Sequence, residues 1–87
     1  MILQLLRSGT SIGANVEEAL GGQSDKDFAA KFYIAYKEAR ETHYWLRLLK
    51  DTGYITEKEA LSVVKDCEEL LKIIGAILNT LKSKKND

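Results

Sequence analysis

Along the start of the chain the apolar positions fall at Ile2, Leu5, Gly9, Ile12, Val16 and Ala19, in alternating steps of three and four. That spacing lines one face of a 3.6-residue helix and predicts a helix over about 2–21. Gly21-Gly22 is placed to end it, because glycine tolerates the left-handed conformation that follows many helices. A second stripe runs through Phe28, Phe32, Ala35, Ala39, Thr42, Leu46 and Leu49 and predicts a helix over about 25–51. Ser24 suits its N-cap, Asp25 and Asp27 suit its first turn, and Gly53 supplies its stop. The third stripe, Ala60, Val64, Cys67, Leu71, Ile74, Leu78 and Leu81, predicts a helix over about 57–83. Thr56 and Glu59 have capping-box spacing, and Ile55 with Ala60 has staple spacing. Residues 83–87 read as a frayed polar tail.

With no proline and three such stripes joined by short loops, the fold class is all-α, an antiparallel up-and-down bundle in one domain, 1–87. Three unrelated amphipathic helices are disfavoured, since the loops leave little room for other packing. The lengths do not match: at 1.5 Å per residue the first helix is about 30 Å long and the others about 40 Å. The first stripe is also in register from residue 2 with no capping residue before it. A further helix, N-terminal or supplied by another chain, is therefore expected.

A second pattern lies opposite the first apolar stripe: Gln4, Ser8, Ser11, Asn15 and Glu18, again at steps of four and three. Solvated faces favour long charged side chains, which cost little helix propensity, whereas Ser and Asn compete for backbone hydrogen bonds. Their run points to close, hydrogen-bonded contact with another helix, with an ordinary exposed face as the alternative. Gly9 and Gly13 form a G-xxx-G pair on the apolar side, expected to allow close backbone approach within a water-soluble bundle. On the second helix Lys26, Tyr33, Lys37, Arg40 and Tyr44 lie opposite the core stripe, with Arg47 close by and Trp45 on one flank. Tyr, Trp and Arg are enriched at interface hot spots, so Tyr33, Lys37, Arg40, Tyr44, Trp45 and Arg47 form a candidate protein-interaction face. Lys26, Lys37, Arg40 and Arg47 with the tyrosines could equally hold phosphates and stack bases, or face plain solvent. Acidic neighbours dilute the nucleic-acid reading, and Lys37 is expected to pair with Glu41 one turn on.

Composition limits the remaining classes. Eighty-seven residues bury a marginal core, so a partner chain is a natural source of stability. Thirteen basic residues balance thirteen acidic ones, and nucleic acid would need a local patch. Cys67 is alone, which excludes a disulfide within the chain and suits a small apolar filler. No apolar run approaches the ~20 residues of a membrane span, and no signal peptide is evident, so no membrane partner and a cytoplasmic location are expected. His43 is the only histidine and lacks a Glu-x-x-His pattern, since Arg40 stands three residues before it. "LGGQS" lacks both the lysine and the strand of a phosphate loop. No catalytic residue, cofactor or metal site is predicted, and the chain is expected not to be an enzyme.

The segments "QLLRSGTSIGANVEEA" (4–19), "SDKDFAAKFYIAYKEARETHYWLRLL" (24–49) and "GYI" (53–55) resemble the bacterial four helix bundle protein family, which includes proteins encoded in intervening sequences of 23S rRNA genes. The resemblance covers roughly residues 2 to 82; the third helix matches only in apolar pattern. It implies a compact antiparallel bundle that assembles into a ring-like homopentamer without enzymatic activity. It also implies that the helices here correspond to the last three of a four-helix bundle. A related branch, the accessory protein of diversity-generating retroelements, is strongly basic and works with a reverse transcriptase and nucleic acid. This chain is neutral, and it has Ala19 where the family often has glycine.

Overall fold

The computed structural model describes the backbone of residues 2–22 and 24–86 and the side chains of 3–22 and 24–83. It holds α1 (Ile2–Leu20), α2 (Asp25–Asp51) and α3 (Glu57–Asn86), with no strand among the described residues. Local chemistry explains each boundary. Ser24 caps α2, its Oγ accepting the Asp27 backbone N–H at 3.1 Å. At the other end of α2, Gly53 adopts φ +80°, while the Gly53 and Tyr54 amides donate to the Lys50 and Leu49 carbonyls. These bonds form a Schellman motif, which needs a residue free to turn left-handed. The Thr56–Glu59 capping box is reciprocal: Thr56 Oγ1 accepts from the Glu59 amide, and Glu59 Oε1 accepts from the Thr56 amide.

Two expectations are corrected here. Gly53 is the only positive-φ glycine among the described residues, so Gly21-Gly22 does not end α1 by a left-handed residue. Instead the Gly22 amide donates to the Ala19 carbonyl, and a Cβ on Gly22 would stand only 3.1 Å from that oxygen. At the far end, α3 continues to Asn86, past the expected stop near residue 83. No glycine or proline interrupts "KSKKN", and lysine is a good helix former near a helix C-terminus.

Partner pairs show the topology. Arg7, Ser8 and Glu18 of α1 meet Glu41, Thr42 and Lys31 of α2, so residue numbers run in opposite directions. Glu68 and Gly75 of α3 likewise meet His43 and Tyr36 of α2. The three helices form an up-and-down bundle with α2 in the middle. Among the described residues no Cα of α1 comes within 8 Å of one on α3. The resulting body measures 47 × 22 × 14 Å. Helices pack 8–10 Å apart, so a 22 Å width suits three helices opened towards a layer.

Most of the predicted α2 and α3 stripes is core, while Phe28, Val64, Leu71 and Leu81 are half-buried. Phe32, Ala35, Ala39, Thr42, Leu46 and Leu49 of α2 are buried, and so are Ala60, Cys67, Ile74 and Leu78 of α3. Ile12 and Ala19 of α1 join Phe32, Ala35, Ala39, Ile74 and Leu78 in one cluster. The α1 stripe departs from expectation at one position only: Gly9 is exposed and Ser8 is fully buried in its place. The side chain of Ile2 lies outside the described residues.

Candidate functional site

The polar row of α1 divides along its length. Ser8 is 0% exposed, and its Oγ lies 3.0 Å from Thr42 Oγ1 and 3.2 Å from the Leu5 carbonyl. Ser11 and Asn15 are half-buried and bond to each other, with Asn15 Nδ2 donating to the Ser11 carbonyl and hydroxyl. Glu18 pairs with Lys31 at 2.8 Å, and that hydrogen bond, with the adjacent negative charge, holds the Lys31 ammonium above its ordinary pKa. Gln4 is exposed. The middle of the row therefore lies at the α1–α2 seam and its two ends at the surface.

Gly9 and Gly13 do not support a close approach within the chain. A Cβ at either would meet nothing within 4 Å. They sit with Leu6 and Leu20, which are 58% and 71% exposed, on the flank of α1 opposite Arg7, Ser11 and Glu18. α3 has a matching flank. Val63, Ile73 and Ile77 lie opposite Glu68 and Gly75, the residues of α3 that meet His43 and Tyr36 of α2. Ile73 is 57% exposed, and a mostly apolar hollow of ≈ 250 Å³ beside it is lined by Ala76, Ile77, Thr80 and Leu81. Both flanks open on the inner side of the layer, away from the outer face of α2. The exposure of Leu6 and Leu20 was not anticipated, although their spacing with Gly9 and Gly13 was there to be read.

The outer face of α2 forms a groove. Tyr33, Lys37, Arg40, Tyr44 and Arg47 line it, as predicted from their spacing, and Tyr36, Glu41, His43 and Leu71 complete its walls. Lys26 is exposed on the same helix but outside this groove. Trp45 turns away: it is half-buried, donates from Nε1 to Glu41 Oε1 at 3.2 Å, and stands edge-on to the Tyr44 ring at 5.1 Å.

The Lys37–Glu41 pair expected from helix spacing is absent among the described residues. Glu41 Oε1 instead accepts from Arg7 Nη2 at 3.3 Å, across the α1–α2 seam. An exposed i,i+4 pair contributes only ~0.3–0.5 kcal/mol, so a second acceptor interaction with Trp45 is enough to redirect the carboxylate. Lys37, Arg40 and Arg47 therefore have no acidic partner within 4 Å among the described residues. His43 Nε2 lies 3.7 Å from Glu68 Oε1. Cys67 is buried, its thiol donating to the Ala39 carbonyl at 3.3 Å, and burial pushes its pKa up. Among the described residues no three His, Cys, Asp or Glu side chains group to hold a metal, and no helix is long and apolar enough to cross a membrane.

Comparison with known proteins agrees with this architecture. The family model for the 23S rRNA-intervening sequence protein matches residues 1–76. A crystal structure from Bacteroides thetaiotaomicron VPI-5482, described as a protein with unknown function from the S23 ribosomal protein family, is similar at 52% identity and a TM-score of 0.84. The alignment covers 86% of this chain and 69% of that one. No curated protein matches. A matching family model over most of the chain, joined to a shared fold at this identity, places the protein in the 23S rRNA-intervening sequence protein family.

Proposed function

We propose that the protein is a non-enzymatic, self-assembling scaffold whose copies associate through the inner side of the helical layer. The observation that carries this reading is the pair of exposed flanks, Leu6–Gly9–Gly13–Leu20 on α1 and Val63 with Ile73 on α3, beside the half-buried Ile77, opening on one side. Several large apolar side chains exposed on one side, rather than scattered singly, mark an interaction site. The occupant is a second copy of this chain. A side of 47 × 22 Å exceeds the ~800 Å² that each partner contributes to a standard interface. Gly9 and Gly13, without neighbours inside the chain, would let the backbone of another copy come close. The ring-like homopentamer implied by the family resemblance is one closed form such contacts can take.

Light scattering on the purified chain at micromolar concentration tests the proposal. A mass of several chains is expected, falling to one chain in a Leu6→Lys, Leu20→Lys variant that retains its helical circular dichroism. A wild-type monomer, or unchanged assembly in the variant, would remove it.

A further inference from the structure

The inner side leaves the groove on the outer face of α2 unexplained, and that groove has a charge the whole chain does not. The molecule is neutral, with thirteen acidic and thirteen basic residues. Within the groove, Lys37, Arg40 and Arg47 have no acidic partner among the described residues, while Glu41 is already held by Arg7 and Trp45. The row Tyr33, Lys37, Arg40, Tyr44, Arg47 steps by four, three, four and three, so it forms one straight line about 21 Å long at 1.5 Å per residue. Tyr33 and Tyr44 are 55% and 50% exposed, with two cations between them.

We infer that this groove binds single-stranded nucleic acid, its cations holding successive phosphates and Tyr33 and Tyr44 offering rings to unstacked bases. Exposed aromatic rings alternating with cations along a groove suit a flexible strand, whose bases can turn onto a ring. A duplex keeps its bases stacked and could use only the three cations. An acidic peptide could likewise neutralise the cations, but it has no flat bases for the tyrosines. Trp45, edge-on to Tyr44 and tied to Glu41, limits the positions open to the Tyr44 ring and steadies it for stacking. This site lies on the opposite side of the layer from the proposed assembly surface, so each can fail without the other.

Fluorescence anisotropy of the wild-type chain with short labelled oligothymidylate and oligouridylate tests it and separates DNA from RNA. Three phosphate contacts predict a slope of about −2 in log affinity against log salt, or about a tenfold loss between about 50 and 150 mM. Lys37→Glu with Arg40→Glu should abolish most binding. Tyr33→Ala with Tyr44→Ala should weaken it at least about fivefold. The charge-matched control Lys58→Glu with Lys65→Glu, on the exposed surface of α3, should bind like wild type. All variants should keep the wild-type circular dichroism and scattering mass. No binding at low salt, a flat salt response, or equal affinity for duplex or polyglutamate would overturn the assignment.

Discussion

Thr42 Oγ1 and Ser8 Oγ meet 3.0 Å apart inside the α1–α2 seam, and each also reaches a carbonyl of its own helix. Each hydroxyl has one proton, and two chains satisfy both: Thr42 to Ser8 to the Leu5 carbonyl, or Ser8 to Thr42 to the Glu38 carbonyl. The pair thus puts polar atoms in the core without stranding either one. Thr42→Val should cost about 1 kcal/mol in denaturant unfolding, and Ser8→Ala a similar amount. The double variant should cost less than their sum, because it removes both partners together. Additive losses would show that the contact contributes nothing.

Gly9 and Gly13 separate folding of one chain from assembly. Replacing each by Ala in the Leu6→Lys, Leu20→Lys background should raise unfolding stability by about 1 kcal/mol per site, since nothing obstructs the new Cβ. In the otherwise wild-type chain the same changes should lower the scattering mass. Unchanged assembly would place these glycines outside the interface.

Cys67 reports on the α2–α3 seam. Burial, and secondarily the charge of Glu68, raise its thiol pKa and disfavour the reactive thiolate. Labelling with a colorimetric disulfide reagent should therefore be slow in the native protein at neutral pH and fast once denaturant opens the helices. Rapid native labelling would mean that α3 leaves α2 readily.

The start of α3 carries a pH dependence. The Thr56 hydroxyl, and then its backbone N–H, hold the Glu59 carboxyl below its ordinary pKa. A lowered folded-state pKa adds stability that is complete above the ordinary glutamate range and lost as pH falls through the folded value. Thr56→Ala should cost about 1 kcal/mol at neutral pH through loss of the N-cap. In thermal unfolding followed by circular dichroism, the gap from wild type should narrow in acid. An equal gap at both pH values would show that Glu59 takes no part.

The three helices and the start of each, the caps at Ser24 and Thr56, the Gly53 stop and most of the cores of α2 and α3 were legible in the chain, because each depends on residues within a few positions of one another. So was the row from Tyr33 to Arg47, since one helix fixes its members' common face. Three features depended on a neighbouring helix. Ser8 displaced Gly9 from the α1 core because Thr42 stands opposite it to share a hydrogen bond. Glu41 abandoned Lys37 because Arg7 and Trp45 both reach its carboxylate, and Trp45 thereby left the outer face. The exposed flanks of α1 and α3 follow from their separation across α2. Periodicity states which residues of one helix share a side; the angle at which the next helix meets that side comes from the packing of the whole chain.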